Sequence, residues 1–342
     1  MRLSRPLLAI IGVFWTTVII YVCASGFDLA RPNDADPYRY LYHALHGDIS
    51  EKLGGNYKIV DALKLLYDIF GYVYVPYLLI VCTLSLIIFT GCSPRLCSTF
   101  PFILAVSICS FYLVQPGKDG ILALALCSIY VSGTPDASPR YSHQFRRLIT
   151  LCLSALSVWI RIQSIYYILI AFLLTRNRSK LALFISVVLV VFMLLNPSLS
   201  GIFSSSDSFL AESRISGSFL RSFIDNNTPA AYGMRFLAYL ASPAYVSLYY
   251  LYSSINSFGF TYLTWLGLIL LPFASICLAS ISAIKAYLLP LLPVCIFLAA
   301  SQALHYRYIF LWLPFSILFT ASALQRDICG YKPPVSGKMS PL

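Results

Sequence analysis

The sequence predicts an all-α integral membrane protein of about ten transmembrane helices, with partial-depth hairpins and with interfacial helices in the first outer loop. Three observations carry that class. Of the 342 residues, 59% are hydrophobic and 11% charged, against roughly 25% charged in a soluble domain, and mean hydropathy is +0.78. The apolar residues gather in runs that approach the ~20 residues a crossing helix needs. Between runs, short basic turns recur on one side only, "RR" at 146–147 and "RNRSK" at 176–180 among them.

Taken in order, the first run is 6–25, preceded by Arg2 and Arg5 and followed by no clean small-residue cleavage site. It reads as a retained span with a cytoplasmic N-terminus. A polar outer loop, 26–72, comes next. In it, "DPYRYLYHALHG" opens with Asp36 before Pro37, a helix-start signal. "KIVDALKLLYDIF" (58–70) puts Ile59, Ala62, Leu65, Leu66 and Ile69 on one face, as an interfacial helix would. Six further runs follow at 73–91, 100–114, 119–133, 148–160, 163–175 and 181–195. A second outer loop, 196–257, leads to the last three at 258–283, 286–303 and 308–324. Residues 1–324 thus form a single polytopic domain, with 325–342 as a short cytoplasmic tail. Residues 234–254 are long enough to cross, but six aromatics and Pro243 fit a helix lying in the headgroup layer.

This topology accounts for the net charge of +11. Thirteen of the 24 basic residues fall inside and only Asp136 and Asp327 of the 13 acids do, so the outer face is neutral. Nucleic acid therefore drops out as a partner, and the lipid bilayer takes its place. The ten cysteines lie almost wholly in apolar runs or short turns, none in the two long polar loops, which argues against a disulfide framework and against zinc spacing.

Three runs are short. At ~1.5 Å per residue, 148–160 spans about 20 Å of a ~30 Å hydrocarbon core, and 100–114 and 163–175 are little longer. Two hairpins, 100–133 and 148–175, then turn below the outer surface, with Lys118, Asp119 and Arg161 at their tips. Charged, non-helical backbone at that depth needs protein or a water-filled recess around it. Asp34 and Asp36 after the first span, and His305 and Arg307 before the last, sit at the same level. Each residue alone has a plain alternative: Asp36 as a helix cap, His43 and His46 as interfacial packing, Arg161 as one half of an ion pair with Asp119, Arg307 as a boundary anchor. Together, forked cations suit phosphate or diphosphate oxygens, and a carboxylate among them can accept a proton from an attacking hydroxyl.

"DADPYRYLYHALHGD", the 58–70 helix, "QPGKDG" around Asp119, the short hairpins and "HYRYIFLWLP" resemble the GT-C class of membrane glycosyltransferases, which use polyprenyl-linked sugar donors. The resemblance covers about residues 1–180 in organisation, plus 301–320. It implies a transferase acting at the outer face of a bacterial inner membrane, taking a polyprenyl-phosphate-linked sugar to a glycan or lipid acceptor. Asp36 or Asp34 would be the general base, or would hold a divalent metal if one is used, and Asp119 would assist. Arg161, Arg307 and Lys118 would bind the donor phosphate, with Arg39, His43 and His305 as secondary candidates. The chain is short for that class and has no soluble C-terminal domain. It is also similar to Wzy- or EpsG-like polymerases of polyprenyl-diphosphate-linked repeats, for which Arg214, Arg221 and Arg235 would be the relevant cations. A lipid-linked sugar transporter or flippase is the remaining alternative, although the two halves show no convincing internal repeat.

Overall fold

A computed structural model describes residues 5–24, 36–46, 57–92, 96, 99–133, 143–195, 229–241, 270, 274, 281–300 and 306–328. These residues form an all-α fold, with twelve helices and no strand among them. The helices are α1 (Arg5–Ala24), α2 (Asp36–His46), α3 (Tyr57–Phe70), α4 (Tyr74–Thr90), α5 (Phe100–Val114), α6 (Lys118–Gly133), α7 (His143–Ile160), α8 (Ser164–Thr175), α9 (Ser179–Leu195), α10 (229–241), α11 (Ile281–Ala299) and α12 (Tyr306–Ile328).

The two helices expected in the first outer loop form where the sequence placed them. α3 meets α4 at a bend of 109°, made at Gly71, whose φ of +74° is a left-handed conformation that glycine adopts without strain. The Gly71 amide still donates to the Tyr67 carbonyl at 2.8 Å, closing the last turn of α3. The face of α3 that packs inward overlaps the expected stripe only in part. Ile59 is buried together with the neighbouring Val60 and Leu63, and Ala62 and Leu66 are half-buried, while Leu65 and Ile69 point outward.

α12 is the central helix, packed against α5, α6, α8 and α11 and buried continuously from Ile309 to Ser322. α11 antiparallels it despite two internal prolines. Pro290 has no N–H to offer the Ala286 carbonyl, and the Thr320 hydroxyl of α12 donates there instead at 3.2 Å. Trp312 Nε1 donates to the Pro290 carbonyl (2.9 Å), and the Tyr166 hydroxyl donates to that of Pro293 (2.6 Å). Proline-broken helix backbone is thereby tied to its neighbours by side chains. One continuous core cluster runs from Ile10 of α1 to Ala321 of α12.

Three boundaries differ from expectation. α7 starts at His143 and not at 148, carrying Arg146 and Arg147 in its first turns, because a helix extends past the point where its side chains stop being apolar. α11 begins at Ile281, so 281–283 belong to it and not to the preceding run, and Lys285 sits inside a helix where it had been read as a break. α12 continues to Ile328, past 324. By length and apolarity, α11 alone among the described helices qualifies as a crossing helix, and α3 with α4 only if the bent pair counts as one, against about ten expected. Leu7–Cys23, Phe100–Val114, Ser164–Thr175, Ser179–Met193 and Tyr308–Leu324 are apolar but shorter. The outward faces are apolar as well: Leu79 and Ile80 on α4, Leu148 and Leu151 on α7, Ile165 and Leu169 on α8, and Phe184, Val188 and Phe192 on α9 are all exposed.

Candidate functional site

The site is built where three chain reversals meet. At the first, α5 ends at Val114 and α6 starts at Lys118, leaving only Gln115, Pro116 and Gly117 between them. The carbonyls stranded by this reversal accept hydrogen bonds from α4, with Tyr74 Oη donating to Val114 O (3.2 Å) and Tyr77 Oη to Gln115 O (3.1 Å). Gly120 lets α6 rest on the backbone of α5. A Cβ there would lie 2.6 Å from the Tyr112 carbonyl oxygen. Lys118 and Asp119 are consequently fixed in the first turn of α6, at 7% and 4% exposure, and Asp119 is well placed against the positive end of the helix dipole.

At the second reversal, α7 breaks after Ile160. Arg161 keeps its amide on the Ser157 carbonyl (2.9 Å) and offers its own carbonyl to the Ser164 amide (3.0 Å), so the turn is tight and its backbone is satisfied. Its guanidinium lies 3.6 Å from an Asp119 carboxylate oxygen, with side-chain exposures of 11% and 5%. That is ion-pair range, longer than a hydrogen bond. Lys58 of α3 donates to the neighbouring Trp159 carbonyl at 2.9 Å and lies over the Trp159 ring, so α3 braces this tip.

The third reversal delivers the start of α12. There Tyr308 accepts a hydrogen bond from Arg161 Nη2, and its ring stands 4.4 Å from the guanidinium carbon. Behind it, Tyr167 touches the rings of Tyr308, Phe297 and Trp312 and forms an aromatic floor. α10 closes one side. Its inward stripe, Ala231, Arg235 and Tyr239, is fully buried at i, i+4, i+8 spacing, and Tyr239 interacts electrostatically with Tyr167. The Arg235 guanidinium stands over the Tyr232 ring at 4.5 Å. Burial raises the Tyr232 phenol above its ordinary range, against the pull of Arg235.

Of the residues expected at the site, Asp119 and Arg161 come together here, Lys118 is buried next to Asp119 in the first turn of α6, and Arg235 is buried on α10. Arg39 and His43 lie on α2. Arg39 is partly buried, and His43 is 8% exposed, with Nδ1 lacking a hydrogen-bond partner among the described residues. Asp34, Arg214, Arg221 and His305 lie outside the described residues. So do the side chains of Asp36, the first residue of α2, and of Arg307, in the first turn of α12. No cluster of three or more His, Cys, Asp or Glu able to hold a metal occurs among the described residues. Sequence reasoning missed Tyr308 and Tyr167. Tyr308 directly follows Arg307, in the motif that drew notice to its arginine, and is the residue that contacts Arg161. No family model matches the chain, and neither the curated proteins nor the solved structures yield a similar one.

Proposed function

We propose that the chain is a multi-pass protein of the bacterial inner membrane that transfers a sugar from a polyprenyl-phosphate-linked donor at the outer face. The apolar outward faces of α4, α7, α8 and α9 support the membrane setting, since contiguous apolar surface of that extent is rare on a water-soluble monomer. On that reading the shorter helices reach only partway across, and the full set amounts to about ten spans. α3, at 109° to α4, then lies along the interface.

The observation that carries the chemistry is the meeting of Asp119, Arg161 and Tyr308, with Lys118 buried beside Asp119 in the first turn of α6. Two cations and a phenol are a donor set for phosphate oxygens. Arg161 offers a forked pair of N–H groups and Lys118 a point charge. Arg307 would add a second fork. The acceptor hydroxyl attacks the anomeric carbon, the bond from that carbon to the phosphate oxygen breaks, and polyprenyl phosphate leaves with its charge held by these cations. Asp36, or Asp34, takes the hydroxyl proton or positions a divalent metal. Asp119, paired with Arg161, orients the guanidinium. The full burial of Arg235 on α10, one turn from the Tyr239 that interacts with Tyr167, favours a second reading, polymerisation of polyprenyl-diphosphate-linked repeats, because a diphosphate needs more cations than a monophosphate.

Purified protein incubated with polyprenyl-phosphate and polyprenyl-diphosphate sugars, followed by mass analysis of the lipid products, tests both. Consumption of the monophosphate donor supports the first reading, and chain growth on the diphosphate supports the second. Turnover of neither class refutes both.

A further inference from the structure

We propose a second site at the opposite end of the bundle, which binds a net-anionic phosphate group through Arg146. Ser132 lies thirteen residues along α6 from Asp119, about 20 Å away by helix rise. There α4, α6 and α7 leave a narrow cleft open to the surface, lined by Ile87 and Ile88 of α4, Ser128, Val131 and Ser132 of α6, and Arg146, Ile149 and Thr150 of α7. Its enclosed volume is only about 10 Å³, room for one oxygen atom, so a bound anion would sit at the mouth with its remainder outside.

Arg146 faces this cleft with Nε and Nη1 buried and without a hydrogen-bond partner among the described residues. Two buried guanidinium donors without a partner among the described residues are costly unless an anion meets them. None of the described residues that line the cleft is a carboxylate. They supply two hydroxyls, Ser132 Oγ and Thr150 Oγ1, 2.6 Å apart. Both bond to the Arg146 carbonyl, Thr150 at 2.9 Å and Ser132 at 3.3 Å, which pins the arginine's backbone to the cleft wall. Either hydroxyl can turn its proton toward a bound oxyanion. Arg147, next along the helix, is exposed and adds positive potential at the mouth. One guanidinium, two hydroxyls and an apolar wall of isoleucine and valine fit a phosphate with hydrocarbon beside it, which a phospholipid of the inner leaflet presents and free phosphate presents in part. The site does not depend on the transferase reading.

The test uses the full chain in neutral detergent and follows its thermal melting. Phosphatidylglycerol is titrated against phosphatidylcholine in one arm, and inorganic phosphate against chloride at equal ionic strength in the other. The wild type should be stabilised by phosphatidylglycerol and not by phosphatidylcholine. Arg146→Gln should weaken the apparent affinity about tenfold or more, as loss of a charge-assisted bond implies, while Arg147→Gln should leave it nearly unchanged. Stabilisation by inorganic phosphate with the same Arg146 dependence supports the site and identifies its source as a free anion. Equal responses of wild type and Arg146→Gln overturn the proposal. Should Arg146→Gln not fold, Arg146→Lys and the wild-type arms decide it, because a wild type stabilised by neither anion has no such site.

Discussion

Removing Arg161 and Asp119 singly and together separates a structural pair from two unrelated charges. At 3.6 Å, and with an effective dielectric constant near 20 for a mostly buried pair, the gross attraction is about 4 to 5 kcal/mol. Desolvation offsets much of this, so the pair's net contribution is small, but truncating one member strands the other at a cost of about 3 to 5 kcal/mol. Arg161 retains Tyr308 when Asp119 is lost, so Asp119→Ala should fall near the lower end of that range and Arg161→Ala toward the upper. The double variant should cost about 2 to 3 kcal/mol less than the sum of the singles. Reversible unfolding in mixed micelles reads all four corners of the cycle. Additivity within about 0.5 kcal/mol would refute the pairing, and with it the convergence of the two hairpin tips.

The same proteins test the chemistry. Arg161→Lys keeps the charge and loses the forked geometry, so the proposed donor role requires markedly weaker donor binding at little cost in stability. A well-folded Arg161→Ala protein with unaltered donor affinity would remove Arg161 from the site.

Asp36→Asn preserves size and helix capping, so if the carboxylate is the general base, sugar transfer should drop by about 10²-fold or more while the protein's yield and melting are unchanged; full activity in Asp34→Asn/Asp36→Asn would end the catalytic reading of that loop. Gly120→Ala should destabilise by about 1 to 3 kcal/mol, because the new methyl meets the Tyr112 and Leu113 backbone at 2.6 to 3.1 Å. Gly12→Ala, with nothing within 4 Å of the new atom, should instead be neutral or stabilising by up to about 1 kcal/mol, and parallel thermal melts compare the two. In a background lacking the ten native cysteines, single cysteines at Ser50 and Ser206 should react with an impermeant reagent from outside and one at Ser138 should not. An externally reactive C-terminal tail would mean that 234–254 crosses the membrane.

What the sequence made legible was set by contrast in its polarity. α1, the first-loop helices and the α5–α6 reversal stood out because apolar runs end there against Pro, Gly or charge. The start of α7 was hidden because "HQFRR" is polar yet helical, and Lys285 read as a boundary because a lysine inside an apolar helix reaches water through its own stem. Periodicity could find the apolar residues of α3 but not say which of them pack against the rest of the protein. At the site, Arg161 was conspicuous as a lone charge among apolar residues. Tyr308 was not, since one tyrosine among 25 carries no signal until the fold sets it beside a guanidinium. Arg235 acquired its weight in the same way, through the inward stripe of α10.

In the proposed reaction the Arg161–Asp119 pair is more than a brace. An arginine presents five donors, and at 3.6 Å its link to Asp119 is an electrostatic contact longer than a hydrogen bond. A donor phosphate entering the recess would compete with Asp119 for the guanidinium, bringing charge-assisted bonds of normal length. Its arrival weakens the ion pair and frees the Asp119 carboxylate to assist Asp36 or Asp34 when the acceptor hydroxyl gives up its proton. The structural and the substrate-binding roles of Arg161 are then successive states of one residue. That sequence requires donor binding to be weaker when Asp119 is present than in Asp119→Asn, where no carboxylate competes, even as transfer slows. Donor affinity left unchanged by Asp119→Asn would mean that the two anions never compete for Arg161, and the phosphate would have to be held by Lys118 and Arg307 without it.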